Sequence, residues 1–131
     1  MKNLSRDDIL GADDLQSEAV EVPEWNGTVY IRTMTGEERD RFEASLVRID
    51  GAKFEDITRN LRARLVCLTA VDENGESLFT LDDIQKVGAK SSKALDRLYE
   101  VAERINGLTE KDVKDLEKNL SGDQSASSTS P

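Results

Sequence analysis

The chain has 131 residues, the length of one domain, and its 27 acidic against 18 basic residues leave a formal net charge of -9. Such a surface is repelled by the phosphate backbone, where binding requires lysine and arginine to replace counterions, so nucleic acid is not an expected partner. Histidine is absent and cysteine occurs once, which removes the commonest general base, most transition-metal sites and any disulfide within the chain; no metal or cofactor is expected.

In chain order, Met1 to Leu10 carries Arg6, Asp7 and Asp8 and no apolar run, which is unlike a signal peptide, and nothing elsewhere approaches the roughly 18 consecutive apolar residues of a membrane span. No membrane partner is expected. Ser5 followed by acids predicts a short capped helical turn to which Ile9 and Leu10 add a little apolar surface. Residues 1–18 thus read as an N-terminal arm.

Residues 19–34 read as a β-hairpin, because Asn26-Gly27 lies between two β-rich runs and both residues tolerate positive φ. A two-residue turn there pairs Trp25 with Thr28, Val22 with Ile31 and Glu21 with Arg32, the last an expected pair of opposite charge. One face then carries Val20, Val22, Val29 and Ile31, and the other Pro23, Trp25 and Tyr30. The ladder should be interrupted at Pro23, which has no N–H to give Tyr30. Aromatics of the second face either pack into the protomer or anchor a partner.

Thr35 and Glu38 form a capping box that opens a helix with Phe42, Leu46 and Ile49 inward, closed by Asp50-Gly51. Phe54 leads to the most apolar passage, Leu61 to Val71, where Ile57, Leu61, Leu65 and Leu68 recur at helical spacing and the helix formers before Leu65 favour helix over strand. That core helix should end near Asp72, where Asp72 to Gly75 is a turn cluster. Leu78 and Phe79 make a short apolar return, and Thr80 caps a small helix with Ile84 and Val87 inside, stopped by Gly88. Ser91 or Ser92 starts a second core helix with Leu95, Leu98, Ala102 and Ile105 on one stripe, closed by Asn106-Gly107. Thr109 opens a final amphipathic helix with Val113, Leu116 and Leu120, and residues 121–131 are too polar to pack and should be disordered. The expected fold is mainly α: a bundle of about four to five helices with a small N-terminal hairpin, residues 19–120 forming one domain.

No catalytic pattern survives inspection. The acids from Asp72 to Asp83 fail as a calcium loop, since Ser77 stands where the turn needs glycine and Asp83 where a bidentate glutamate belongs. Cys67, among leucines and valines, should be a buried, inert thiol. The paired aspartates at 7–8, 13–14 and 82–83 are sequence neighbours that point apart on a helix. An enzyme is not expected, and a binding protein is.

The ordered series VEVPEWNGTVYIR, TGEERDRFE, ARLVCLTAVDENGESLF, KALDRLYEVAERINGL and EKNLSG, from about Asp7 to Asn119, resembles the tail assembly chaperones of long, non-contractile-tailed bacteriophages and their prophages. The resemblance implies a mainly helical, self-associating protein of the host bacterial cytoplasm, acting in virion assembly, that coats the tape measure protein and keeps it soluble while tail tube subunits assemble. It also implies that this is the short form, a longer frameshifted form recruiting the tail tube protein. The family supplies no catalytic motif. Candidate partner-binding residues, Pro23, Trp25 and Tyr30 with Val113, Leu116 and Leu120, come from the two apolar surfaces the core least requires, and at least one should be an intermolecular contact. The charge also fits a different class, an acidic DNA mimic that inhibits a host nucleic-acid enzyme, if its carboxylates are spaced like phosphates on one face.

Overall fold

The computed structural model describes residues 1–47 and 60–108, without the side chains of residues 45–47. Expectations for the side chain of Leu46, for Ile49 through Ile57, for the helix of Val113, Leu116 and Leu120, and for the tail from Ser121 lie outside the described residues. The core helix forms where the apolar run demanded it. This helix, α3 (Leu61–Thr69), buries Leu61, Ala63, Arg64, Leu65, Val66, Cys67, Leu68 and Thr69, nearly its whole circumference. Thr69, wholly buried, donates its hydroxyl to the Leu65 carbonyl at 2.7 Å, which satisfies a polar group that water cannot reach.

The helix ends earlier than the sequence suggested. Ala70 leaves helical geometry, and Ala70–Val71 forms a strand, β3, rather than two more helical residues. β-Branched Val71 is wholly covered there, and strand pairing gives its backbone the partners that a frayed last turn would leave free. The turn that follows is built by Asp72, whose Oδ1 accepts from Asn74 N at 2.8 Å and Glu76 N at 3.0 Å, while Gly75 takes φ +83°. Val71 then bridges Ser77, and Leu78 N donates to the Ala70 carbonyl at 3.1 Å.

The hairpin is present, with β1 (Ser17–Val22) and β2 (Gly27–Arg32) antiparallel, but its register differs from expectation. Val22 pairs with Gly27, Glu21 with Thr28, Val20 with Val29 and Ser17 with Arg32. The chain quits the ladder at Pro23, makes a 3₁₀ turn over Pro23–Trp25 and returns through Asn26 in the left-handed region (φ 55°, ψ 39°). Without an N–H, Pro23 favours the first position of a helical turn over a place in the ladder, and the two-residue turn gives way to a four-residue one. The displacement is by an even number, so the faces are kept: Val20, Val22 and Ile31 are buried and Val29 packs beside them. Adding β3 beside β2, with Tyr30 opposite Val71 and Ile31 opposite Ala70, completes a three-stranded sheet in the order β1-β2-β3. The expected mainly helical bundle with a lone hairpin is therefore corrected to a mixed fold, five helices with a three-stranded antiparallel sheet among the described residues.

The other helices follow their caps. α1 (Arg6–Leu10) is closed by reciprocal bonds, Asp8 N to Ser5 Oγ at 3.1 Å and Ser5 N to Asp8 Oδ2 at 3.0 Å. The same device opens α2 (Gly36–Val47), with Glu38 N to Thr35 Oγ1 at 3.1 Å and Thr35 N to Glu38 Oε1 at 2.9 Å, and Phe42 wholly buried beneath it. Glu38 also receives Arg32 Nη2 at 2.7 and 2.8 Å, while Arg32 Nη1 reaches the Gly75 carbonyl at 3.3 Å. This half-buried pair takes the place of the expected Glu21–Arg32 contact and binds sheet, helix and turn together. α4 (Ile84–Gly88) follows a 3₁₀ turn at Leu81–Asp83, and α5 (Ser92–Ile105) buries Ala94, Leu95, Leu98 and Ala102. α5 ends in a Schellman closure: Gly107 has φ +67° and buried Leu108 donates to the Glu103 carbonyl at 2.8 Å. α5 lies against α3 and the inner face of the sheet, α4 against α3, giving a layer of helices on one sheet face.

Candidate partner-binding surface

The turn that Pro23 forces is what positions Trp25. Glu24 in that turn accepts from Arg97 of α5, Nε at 2.9 and 3.2 Å and Nη2 at 3.1 Å, a forked pair that anchors the tip of the hairpin to the helix. Arg97 beside it holds the Glu24 carboxyl below the usual glutamate range. Trp25, half-buried, then forms one wall of a cleft of about 620 Å³ that is otherwise lined by Leu78, Phe79 and Val87, with Asp83, Lys86 and Lys90 at its edges. Leu78 remains 48% exposed and the adjoining Leu81 38%, more apolar surface than a satisfied fold leaves in one place. Asp83 is already engaged, since its Oδ2 accepts from Thr80 N at 3.0 Å and caps the turn before α4.

The sequence candidates are not gathered at one place. Pro23 is exposed at the head of the turn, Trp25 leans into the cleft, and Tyr30 stands 38% exposed on the outer sheet face opposite Ala19 and Val71, away from the cleft lining. The expected shared face of Trp25 and Tyr30 is thus divided, because Trp25 belongs to the turn and not to the strand. Val113, Leu116 and Leu120 fall outside the described residues. Sequence reading missed Phe79, Val87 and the two lysines as companions of Trp25. No local signal marked them, since Leu78 sits at a bend and both it and Phe79 line the cleft through the tertiary fold.

Nothing in the cleft converges on a reacting atom. Its polar groups sit at the rim, and among the described residues no cluster of acids and cysteine could hold a metal. Cys67 faces a smaller hollow of about 210 Å³ with Glu38, Leu68, Ser77 and Phe79. Burial, with a smaller contribution from Asp83, pushes its thiol up to about 11, leaving it protonated and unreactive near neutrality. The arrangement suits binding of an apolar group.

The sequence profile described as phage tail assembly chaperone matches residues 11–119. The chain belongs to the phage tail assembly chaperone family. The span shared with other tail assembly chaperones includes the hairpin, the cleft and α5, and begins beyond α1. The fold is similar to that of the tail assembly chaperone of bacteriophage HK97, with a TM-score of 0.54 and 19% identity over 76% of this chain and 86% of that one. Curated protein sequences provide no match to the chain. Among the described residues no helix is long and apolar enough to cross a membrane.

Proposed function

We propose that the chain is a non-catalytic chaperone that binds the tape measure protein of its phage, keeps it soluble in the host cytoplasm and helps the tail tube assemble around it. The carrying observation is the open apolar cleft at Trp25 within the family-matched span of a strongly acidic chain. Apolar surface covers an aggregation-prone partner, and net charge keeps the covered complex dispersed. Copies of the chain self-associate on the client, and at least one of two surfaces, the cleft at Trp25 or the segment of Val113, Leu116 and Leu120, is an intermolecular contact. A longer frameshifted form carries the contact to the tail tube protein.

The DNA-mimic reading has less support. Exposed acids are interleaved with arginines, in pairs such as Glu24–Arg97, Asp96–Arg62 and Glu18–Arg104, which breaks up a phosphate-like array. Co-expression with the tape measure protein of the same phage tests the chaperone reading. The client should remain in the soluble fraction with the chain present and precipitate without it; unchanged solubility defeats the assignment.

A further inference from the structure

The first sixteen residues fold locally and bury almost nothing. α1 has a complete capping box yet no buried residue, and Leu4, Ile9, Leu10 and Leu15 stand 63, 57, 66 and 37% exposed. A helix of five residues has no stability of its own in water, so one that is capped yet lies on no surface lacks the burial that sustains short helices. The arm joins the body at Gln16, whose N–H donates to Thr33 Oγ1 at 2.9 Å and whose carbonyl accepts from Thr33 N at 2.8 Å.

We propose that the Trp25 cleft is the receptor for this arm, residues 4–15, of a second copy of the chain. The proposal rests on the reading of the cleft as an intermolecular contact and names its occupant. Two properties of the cleft match the arm. Its floor is apolar, from Trp25, Leu78, Phe79 and Val87, as the exposed leucines and isoleucine of the arm require. Its rim carries Lys86 and Lys90, both exposed, whereas the arm carries Asp7, Asp8, Asp13 and Asp14 against Lys2 and Arg6. The lining also includes Asp83, whose carboxylate caps Thr80 and is outnumbered by the two lysines.

The structure points to a second copy over the same chain: no arm residue lines the cleft of its own chain, and Leu4, Ile9, Leu10 and Leu15 stay exposed there. A neighbour's cleft can take the arm whole. Because arm and cleft are different patches, the contact either repeats head to tail or is exchanged reciprocally between two chains.

The test uses two full-length variants, Leu10→Cys and Lys86→Cys, mixed and gently oxidised, the native Cys67 being buried. The proposal expects a covalent dimer whose digest contains a disulfide joining position 10 of one variant to position 86 of the other. Absence of that bond overturns it, as does a double variant that closes the bond within one chain at high dilution. Charge reversal is a second measurement that leaves the fold alone. Lys86→Glu with Lys90→Glu should weaken self-association roughly tenfold in sedimentation equilibrium, and adding Asp13→Lys with Asp14→Lys should restore it. No weakening, or weakening without restoration, counts against the arm. A chain that forms the bond but fails to solubilise its client strikes the chaperone reading while supporting this contact; one that solubilises its client without the bond overturns this contact alone.

Discussion

α1 and α3 are both short helices, yet they owe their existence to opposite causes. α3 has no side-chain cap at Asn60 and is held because eight of its nine residues are buried, so its helicity is imposed by tertiary packing. α1 has reciprocal caps and no burial at all. Local signals therefore decide where helices can start, and burial decides which of them the fold depends on.

Substitutions can break that contrast at either end. The largest effect belongs to α3: Leu65→Ala, at a wholly buried site, should cost about 2–5 kcal/mol in urea unfolding, and a loss near zero would mean that α3 is not the core. Next comes the clasp that links the sheet to α2. Glu38→Ala removes both the cap of Thr35 and the partner of Arg32, and should cost about 1.5–3 kcal/mol by the same measurement.

Cys67 sharpens the comparison through pH. Its folded-state thiol, pushed up to about 11 by burial, keeps its proton where the unfolded thiol has already lost it. The unfolded chain then binds fewer protons, so stability falls as pH rises from about 9 toward 11, by an amount on the order of 2 kcal/mol, and is unaffected by this group below that window. Cys67→Ala should flatten the decline, and a thiol reagent at pH 8 should modify the native protein only upon unfolding. The smallest effect is at the arm. Leu10→Asp should leave stability within about 0.5 kcal/mol of the parent, and a larger loss would show that α1 does pack on its own protomer.

The caps were the most legible part of the sequence, since Ser5 with Asp8, Thr35 with Glu38 and the Ser91 start depend only on neighbours within one turn. The stripes of α3 and α5 were legible for the same reason. Register was not, because the positive-φ signal of Asn26-Gly27 competed with the missing N–H of Pro23, and only Asn26 kept its expected left-handed backbone. The change from helix to strand at Ala70 was hidden as well: Ala70 and Val71 are apolar enough for either state, and the choice was made by the free edge of β2. Trp25 was found, but the cleft around it was not, since Phe79 and Val87 reach it only through the tertiary fold.

The direct passage from α3 into β3 bears on how the protein folds. β1 and β2 are joined by a four-residue turn and can meet early, whereas β3 lies some forty positions after β2 and is fused to the core helix without a loop. The third strand can dock only as fast as that helix finds its place, so completing the sheet and seating the helix become one kinetic event. Amide protons of Val66 to Thr69 and of Ile31 should therefore exchange with a common opening free energy, and those near the hairpin tip sooner.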